Sequence, residues 1–225
     1  MATFREIAES LLYDVDPRRS HDPTIEHTLE EVLYAFDEIN EMFEKPTVSD
    51  VLAKFADAVG PGGWTTIGAI AVGRRASSRS TLDIDILCAD VSDIANRLFA
   101  NSKEFVYSGR NQVKLHATGT EIDLLGPENL NLDAGLCRME IERSEMNWLG
   151  RSAVPIPSAP FLIYAKLVSA TSPTRSLEKR DYDVGDLRRL LAQYDLEGYE
   201  GKSKLSQKQL ELYERLRLES NNNPG

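Results

Sequence analysis

Two carboxylates stand one residue apart in "STLDIDILC" (80–88), at Asp83 and Asp85. Side chains alternate between the two faces of a strand, so these acids share one face while Leu82, Ile84 and Ile86 share the other. The apolar side can pack. The acidic side holds like charges at close range, which is favourable only if one group is protonated or a cation lies between them. Oxygen ligands at this spacing suit a hard divalent cation such as Mg²⁺. A second segment, "TEIDLL" (120–125), repeats the pattern, with Glu121 and Asp123 on one face and Ile122 and Leu124 on the other. If the two strands are neighbours in one sheet, Asp123 joins the pair. Three acids can then hold two Mg²⁺ ions, which activate an attacking oxygen and stabilise a leaving phosphate. The competing reading makes them exposed acids on the wet face of an antiparallel sheet. It accounts for one such strand more readily than for two, preceded by a glycine turn and the basic stretch "GRRASSRST" (73–81).

The surrounding pattern supplies elements to position these acids. Apolar residues from Ile25 to Phe43 fall on one helical face, and Pro46 stops that helix. A second helix is expected after Ser49, its N-cap candidate, ending before Gly60. "GPGG" (60–63) signals a turn, and "WTTIGAIAV" (64–72) reads as a strand or a strand passing into a helix. The acidic strand is expected over Leu82–Cys88, followed by a helix in "DVSDIANRLFAN" (90–101). Strands fit "NQVKLHAT" (111–118) and "TEIDLL", joined through Gly119. Segment 127–150 reads as irregular, with a short strand near Met139–Glu142. Ser158 can cap a helix over "APFLIYAKLVSA" (159–170), with Pro160 in its first turn. "SPTRSLEKR" (172–180) reads as a polar connection, and helical spacing resumes through Val184, Leu187, Leu190 and Leu191. Ser206 caps a last helix, and "NNNPG" is expected to be disordered. No internal repeat is present. The segments are N-terminal helices (1–60), an α/β core (61–150) and a C-terminal helical region (151–225). Mixed strands with segregated helices indicate an α+β fold.

Composition bounds the function. The 225 residues are 41% hydrophobic and 28% charged, enough for a full core without staples. No apolar run is long enough to cross a bilayer, and the first twenty residues lack a secretory h-region. Cys88 and Cys137 form no metal-ligand spacing with each other or with the three histidines. A reduced cytoplasmic protein with no membrane partner is the expectation. The net charge of −10 is concentrated in residues 1–50, with thirteen acids against four bases; the rest carries 23 against 22. Such a chain is a poor general nucleic-acid binder, although its near-neutral remainder leaves room for a local basic face.

The stretch "IGAIAVGRRASSRSTLDIDIL" resembles the signature of nucleotidyltransferase-fold proteins of the polymerase beta superfamily, and is most similar to the branch of AbiEii-type and MenT-type toxins. That signature has two small residues, an apolar stretch, a glycine, then R-x-T-x-D-hydrophobic-D. Here these are Gly68, Ala69, Gly73, Arg79, Thr81, Asp83 and Asp85. "EIDLL" matches the strand of the third acid, Asp123. Farther on, Lys166, Leu167 and Ala170 fit one helical motif. Arg180, Asp183, Asp186 and Leu187 fit another, with Tyr182 where lysine is usual. The match spans roughly residues 64–191 in scattered motifs.

The resemblance implies a mixed β-sheet core flanked by helices, and a nucleotidyl transfer from an NTP that depends on Mg²⁺. It implies that Asp83, Asp85 and Asp123 bind metal and that Asp123 activates the acceptor hydroxyl. Gly68 and Ala69 would form the phosphate loop, with Thr81 in the same motif. Lys166 would neutralise triphosphate charge, Arg79 would contact phosphate or fix its loop, and Asp183 would orient Lys166 or touch the nucleotide. Each has a plainer reading: Lys166 as a charged helix face, Arg79 as a cation pairing with Asp83 or Asp85, Asp183 and Asp186 as first-turn helix acids. One departure is clear. Active relatives commonly place a serine or threonine just after the glycine, and here Ala69 and Ile70 follow Gly68. A backbone N–H can still cradle phosphate.

Two function classes follow. One is an enzyme moving an NMP from an NTP to a hydroxyl on RNA, including a tRNA end, or on a protein, in a toxin–antitoxin setting with a cognate antitoxin. Arg74, Arg75 and Arg79 would then draw in a phosphate-rich substrate. The other is a catalytically degenerate member that keeps the fold as a binding or regulatory module.

Overall fold

Period-two alternation shapes the centre of the molecule. The computed structural model describes residues 47–76, 83–149 and 152–222. The expected helix at 24–43, the residues Arg79, Thr81 and Leu82, and the "NPG" end of the tail lie outside the described residues.

Five strands form one mixed sheet: β1 (Trp64–Ile67), β2 (Ile84–Cys88), β3 (Phe105–Gly109), β4 (Gln112–Leu115) and β5 (Glu121–Leu125). Their spatial order is β1-β2-β5-β4-β3. β2 and β5 are parallel, and the other neighbours are antiparallel. A parallel pair needs a crossover. Helix α3 (Val91–Asn101) and the β3–β4 hairpin supply it between β2 and β5. The apolar face of the sheet carries Ile84, Ile86, Val113, Leu115, Ile122 and Leu124, all buried. It forms one core with Val51, Leu52 and Phe55 of α1 (Val48–Val59) and with Ile94 and Leu98 of α3. Phe55 joins this core edge-on to Trp64 and Phe105, with ring centroids 5.3 and 6.4 Å away.

The local reasons are capping and spacing. α1 begins at Val48, two residues earlier than an N-cap at Ser49 would allow. Thr47 caps it, accepting from the Asp50 N–H at 3.2 Å while Asp50 accepts the Thr47 N–H at 2.9 Å. This reciprocal pair satisfies two donors, which Ser49 cannot do from inside the first turn. Asp90 caps α3 through the Ser92 and Asp93 amides. "WTTIGAIAV" does pass from strand to helix, as β1 followed by α2 (Gly68–Arg75).

Segment 127–150 is more ordered than its composition suggests. It holds α4 (Pro127–Leu130), α5 (Ala134–Arg143) and β6 (Glu145–Leu149). Met139–Glu142 is therefore helix, capped by Asp133, whose carboxylate accepts the Leu136 N–H at 3.0 Å. β6 pairs with β7 (Ser152–Ile156) in a separate two-stranded sheet, so the region after 150 is not wholly helical. Next come α6 (Ala159–Thr171), α7 (Leu177–Leu191), a 3₁₀ turn at Glu200–Lys204 and α8 (Gln207–Asn222). Ser158 caps α6 as expected, accepting from Phe161 N–H. α8 starts directly after Ser206, whose N–H is taken by the Gln209 side chain at 2.7 Å. "SLEKR" is not a connection. Ser176 caps α7, and the helix already covers Leu177–Arg180.

Segments 61–150 and 151–225 belong to one compact unit that also includes α1. Helices α6 and α7 pack against each other and against α2, on the side of the sheet that carries the acids. Among the described residues no helix is long and apolar enough to cross a membrane.

Candidate active site

The acids meet where β2 and β5 run side by side. Their parallel register pairs Asp85 with Asp123 directly, and Ile84 with Ile122. Paired residues point to the same face, so the two carboxylates project together while the two isoleucines enter the core. β2 begins at Ile84 rather than Leu82, which leaves Asp83 exposed just before the strand. All three acids line one cleft of about 420 Å³.

The helical wall of this cleft carries three cations, interspersed with Glu178 and Asp183. Lys166 from α6, Arg175 from the α6–α7 connection and Lys179 from α7 all line it. Lys166 is only 8% exposed. Its Nζ lies 2.8 Å from Asp183 Oδ1 and 2.7 Å from Asp186 Oδ2. Arg175 also pairs with Asp183, Ser169 Oγ donates to Asp183 Oδ2 at 2.8 Å, and Arg189 pairs with Asp186 at 3.0 Å. Asp183 and Asp186 are not first-turn acids. They sit in the interior of α7 at 1% and 0% exposure, because that helix starts at Leu177. Buried charge is tolerated when it is paired and hydrogen-bonded, and both are so here. Lys166 is therefore an ordered buried cation rather than a solvated helix face.

The field at Asp85 follows from this layout. Burial pushes its carboxyl above the ordinary aspartate range, and Asp123 beside it adds to the rise. Lys166 pulls it down in part, Asp83 raises it again, and Arg175 lowers it. A carboxylate held in this way gains most from a cation arriving beside it.

Gly68 makes the close approach possible. It has φ of +69°, and a Cβ built on it would overlap the Asp85 carboxylate. The glycine ends β1 and starts α2, so the first turn of that helix lies against the acids. Gly68 and Ala69 both line the cleft. Gly68→Ala is expected to lose about 1–2 kcal/mol from the positive φ alone. That is a fall of roughly 2–8 °C in melting temperature for a chain of this size. It should also displace Asp85, which a Mn²⁺ titration would register as weakened binding.

Neither Thr65 nor Thr66 supplies the hydroxyl missing after Gly68. Thr65 Oγ1 donates to the Pro155 carbonyl at 3.0 Å and accepts from Ser144 Oγ at 2.8 Å. Thr66 is fully buried and pairs with Ile86, so it points to the core face. Arg74 and Arg75 do not line the cleft. They end α2 and bind it to the second sheet: Arg74 donates to the Trp148 carbonyl at 2.6 Å, and Arg75 to the Pro157 carbonyl at 3.0 Å and to Glu145 at 2.8 Å. Arg180 donates to the Pro173 carbonyl at 3.1 Å. Cys88 and Cys137 are free and buried, and burial pushes each thiol up to about 12. They stay neutral and are poor nucleophiles.

Sequence reasoning missed Arg175, Lys179, Ser169 and Gln112. The first three sit on helices or turns whose shared face appears only once α6 and α7 pack. Gln112 donates from Nε2 to Asp123 Oδ1 at 2.8 Å.

Oxygen donors of this kind fit a divalent cation. Among the described residues, however, no three acidic, histidine or cysteine side chains form a ready-made cage. Mg²⁺ does not need one, since it keeps waters and commonly binds through one or two carboxylates plus substrate phosphates.

The chain has a nucleotidyltransferase-like α+β fold: a five-stranded mixed sheet with helices around it and the acids on adjacent strands. It is similar to the crystal structure of an antigenic nucleotidyltransferase-like protein from Paracoccidioides brasiliensis, with a TM-score of 0.54 and 16% identity, over 78% of this chain and 87% of that one. The sequence matches no model of a known protein family and no curated protein.

Proposed function

We propose that this protein is a nucleotidyltransferase that uses Mg²⁺ to move an NMP from an NTP to a hydroxyl acceptor. The observation that carries the proposal is the parallel register of Asp85 with Asp123, across the cleft from the buried Lys166 and the half-buried Arg175. A cleft with three carboxylates on the sheet wall and Lys166, Arg175 and Lys179 on the helical wall, beside Glu178 and Asp183, suits a triphosphate with its divalent ion. The cations would face phosphate oxygens and the carboxylates the metal.

Asp83, Asp85 and Asp123 would hold Mg²⁺, which when bound stabilises the charge developing on the reacting phosphate and its leaving group. Lys166 and Arg175 would take up negative charge on the triphosphate. Gly68 and Ala69 would offer backbone amides at the start of α2, where the helix end favours an anion. The acceptor oxygen would form a bond to the α-phosphorus as the bond from that phosphorus to the β-phosphate oxygen breaks. Pyrophosphate leaves, and the hydroxyl proton passes to the Asp123 carboxylate.

The acceptor class is RNA, a tRNA end included, or a protein side chain. The motif order from Gly68 to Asp85, similar to that of toxins in the AbiEii and MenT branch, supports a toxin with a cognate antitoxin. A second reading, a degenerate member acting as a binding module, is favoured by the absence of a hydroxyl at Ala69 and Ile70.

The test mixes purified protein, Mg²⁺ and each α-labelled NTP with total RNA and with cell lysate. Label transfer that disappears in Asp85→Ala is the expected result. No transfer, with no NTP binding in the presence of Mg²⁺, would establish the binding-module reading instead.

A further inference from the structure

We infer that Gln112 is a positioning residue for Asp123, holding one carboxylate oxygen so that the other faces Asp85 and the cleft. The inference rests on the nucleotidyltransferase reading above. Gln112 lies on β4 directly opposite Asp123 on β5, and their side chains share the acidic face of the sheet. Gln112 Nε2 donates to Asp123 Oδ1 at 2.8 Å. Gln112 does not line the cleft itself, so it acts from the side.

The sense of the amide is set by Asp123, whose carboxylate only accepts, and Ser108 adds a second contact. Ser108 Oγ donates to Gln112 Oε1 at 3.2 Å. A register shift between Tyr107 and Gly109 in the β3–β4 hairpin places Ser108 there. With its NH₂ group on Asp123, the amide leaves its oxygen for the Ser108 hydroxyl, which holds the side chain in place. A bulge that aims one side chain in this way is a recurrent feature near functional sites.

The chemistry of the donor also matters. A lysine or arginine here would neutralise Asp123 and compete with a cation for it. A neutral amide fixes one oxygen and leaves the negative charge in place. Partners of this kind orient metal-binding carboxylates and hold their geometry.

The test compares wild type with Gln112→Met, Ser108→Ala and the double variant. Methionine keeps the length and volume of the side chain and removes the donor. Two readouts are taken: Mn²⁺ affinity by electron paramagnetic resonance, and turnover and KM for labelled NTP in the transfer assay. Gln112→Met is expected to lose on the order of 10- to 100-fold in Mn²⁺ affinity or turnover, the usual loss for an outer-shell partner. Its KM for NTP and its melting temperature should stay close to wild type. Ser108→Ala should have a smaller effect, and none in the Gln112→Met background, because the two contacts act in series. Wild-type Mn²⁺ affinity and turnover in Gln112→Met would overturn the positioning role while leaving nucleotidyl transfer intact. Additive losses in the double variant would also overturn it. A wild-type protein that neither binds Mn²⁺ nor transfers label would overturn the nucleotidyltransferase reading, and this inference with it.

Discussion

Replacing Asp85 by asparagine is expected to abolish nucleotidyl transfer and, at the same time, to raise the melting temperature of the metal-free protein. Loss of a group that acts only together with its partners costs on the order of 10³-fold or more in rate. The gain in stability has a separate cause. Burial, then the neighbouring Asp123, raises the Asp85 carboxyl above its ordinary range. Below the unfolded value of about 4 the group is protonated in both states and costs nothing. As pH rises through the higher folded value, ionisation is harder in the folded protein than in the unfolded chain, and stability is lost. Asparagine cannot ionise. The stability gap between Asp85→Asn and wild type should therefore open as pH rises towards neutrality and close under acid conditions. A gain of about 1 kcal/mol at neutral pH is the usual size when a functional site is relaxed in this way. Mg²⁺ should then stabilise wild type and leave the variant unchanged. Thermal melts at several pH values, with and without Mg²⁺, read all of this. A variant that melts below wild type at neutral pH without metal would show that Asp85 is a structural group.

Asp183→Ala should produce the largest loss of stability. Three donors converge on this carboxylate, from Lys166, Arg175 and Ser169. Removing it leaves two cations deprived of a buried partner, although Lys166 keeps Asp186 at 2.7 Å. Breaking a buried pair by deleting one member costs about 3–5 kcal/mol. For a chain of this size that is a fall of roughly 6–20 °C in melting temperature. Lys166→Met is the informative contrast. It leaves Asp183 with Arg175 and Ser169, and Asp186 with Arg189. Its structural cost should be clearly smaller, while its loss of NTP binding should be at least as severe. Equal destabilisation by both variants would mean that Lys166 is chiefly a structural counter-ion.

The acidic pattern was legible because a strand has a strict period of two. Asp83–Asp85 and Glu121–Asp123 each announce a polar face without any tertiary information. Their meeting was legible only as a condition. β2 and β5 are separated in sequence by a helix and a hairpin, and nothing local dictates that they pair in parallel. Capping explains why α6 was placed correctly from Ser158 and Pro160. It also explains the error at α7, where Ser176 rather than the later aspartates marks the start. Segment 127–150 hides its helix in the sequence because α5 mixes buried Leu136, Cys137 and Ile141 with a buried Glu140. Its apolar spacing is therefore weak, and its Asn and Gly residues look like loop. The roles of Gln112 and Arg175 depend on contacts across the fold, which composition and spacing do not encode.

The central claim is that the carboxylates and the facing Lys166 and Arg175 form one site for a nucleotide with its metal. Calorimetric titration of a non-hydrolysable NTP analogue, with Mg²⁺ and with EDTA, tests it most directly. The expected result is one-to-one binding that needs Mg²⁺ and disappears in both Asp85→Asn and Lys166→Met. Binding that persists in EDTA or in Asp85→Asn, or no binding in Mg²⁺, would contradict it.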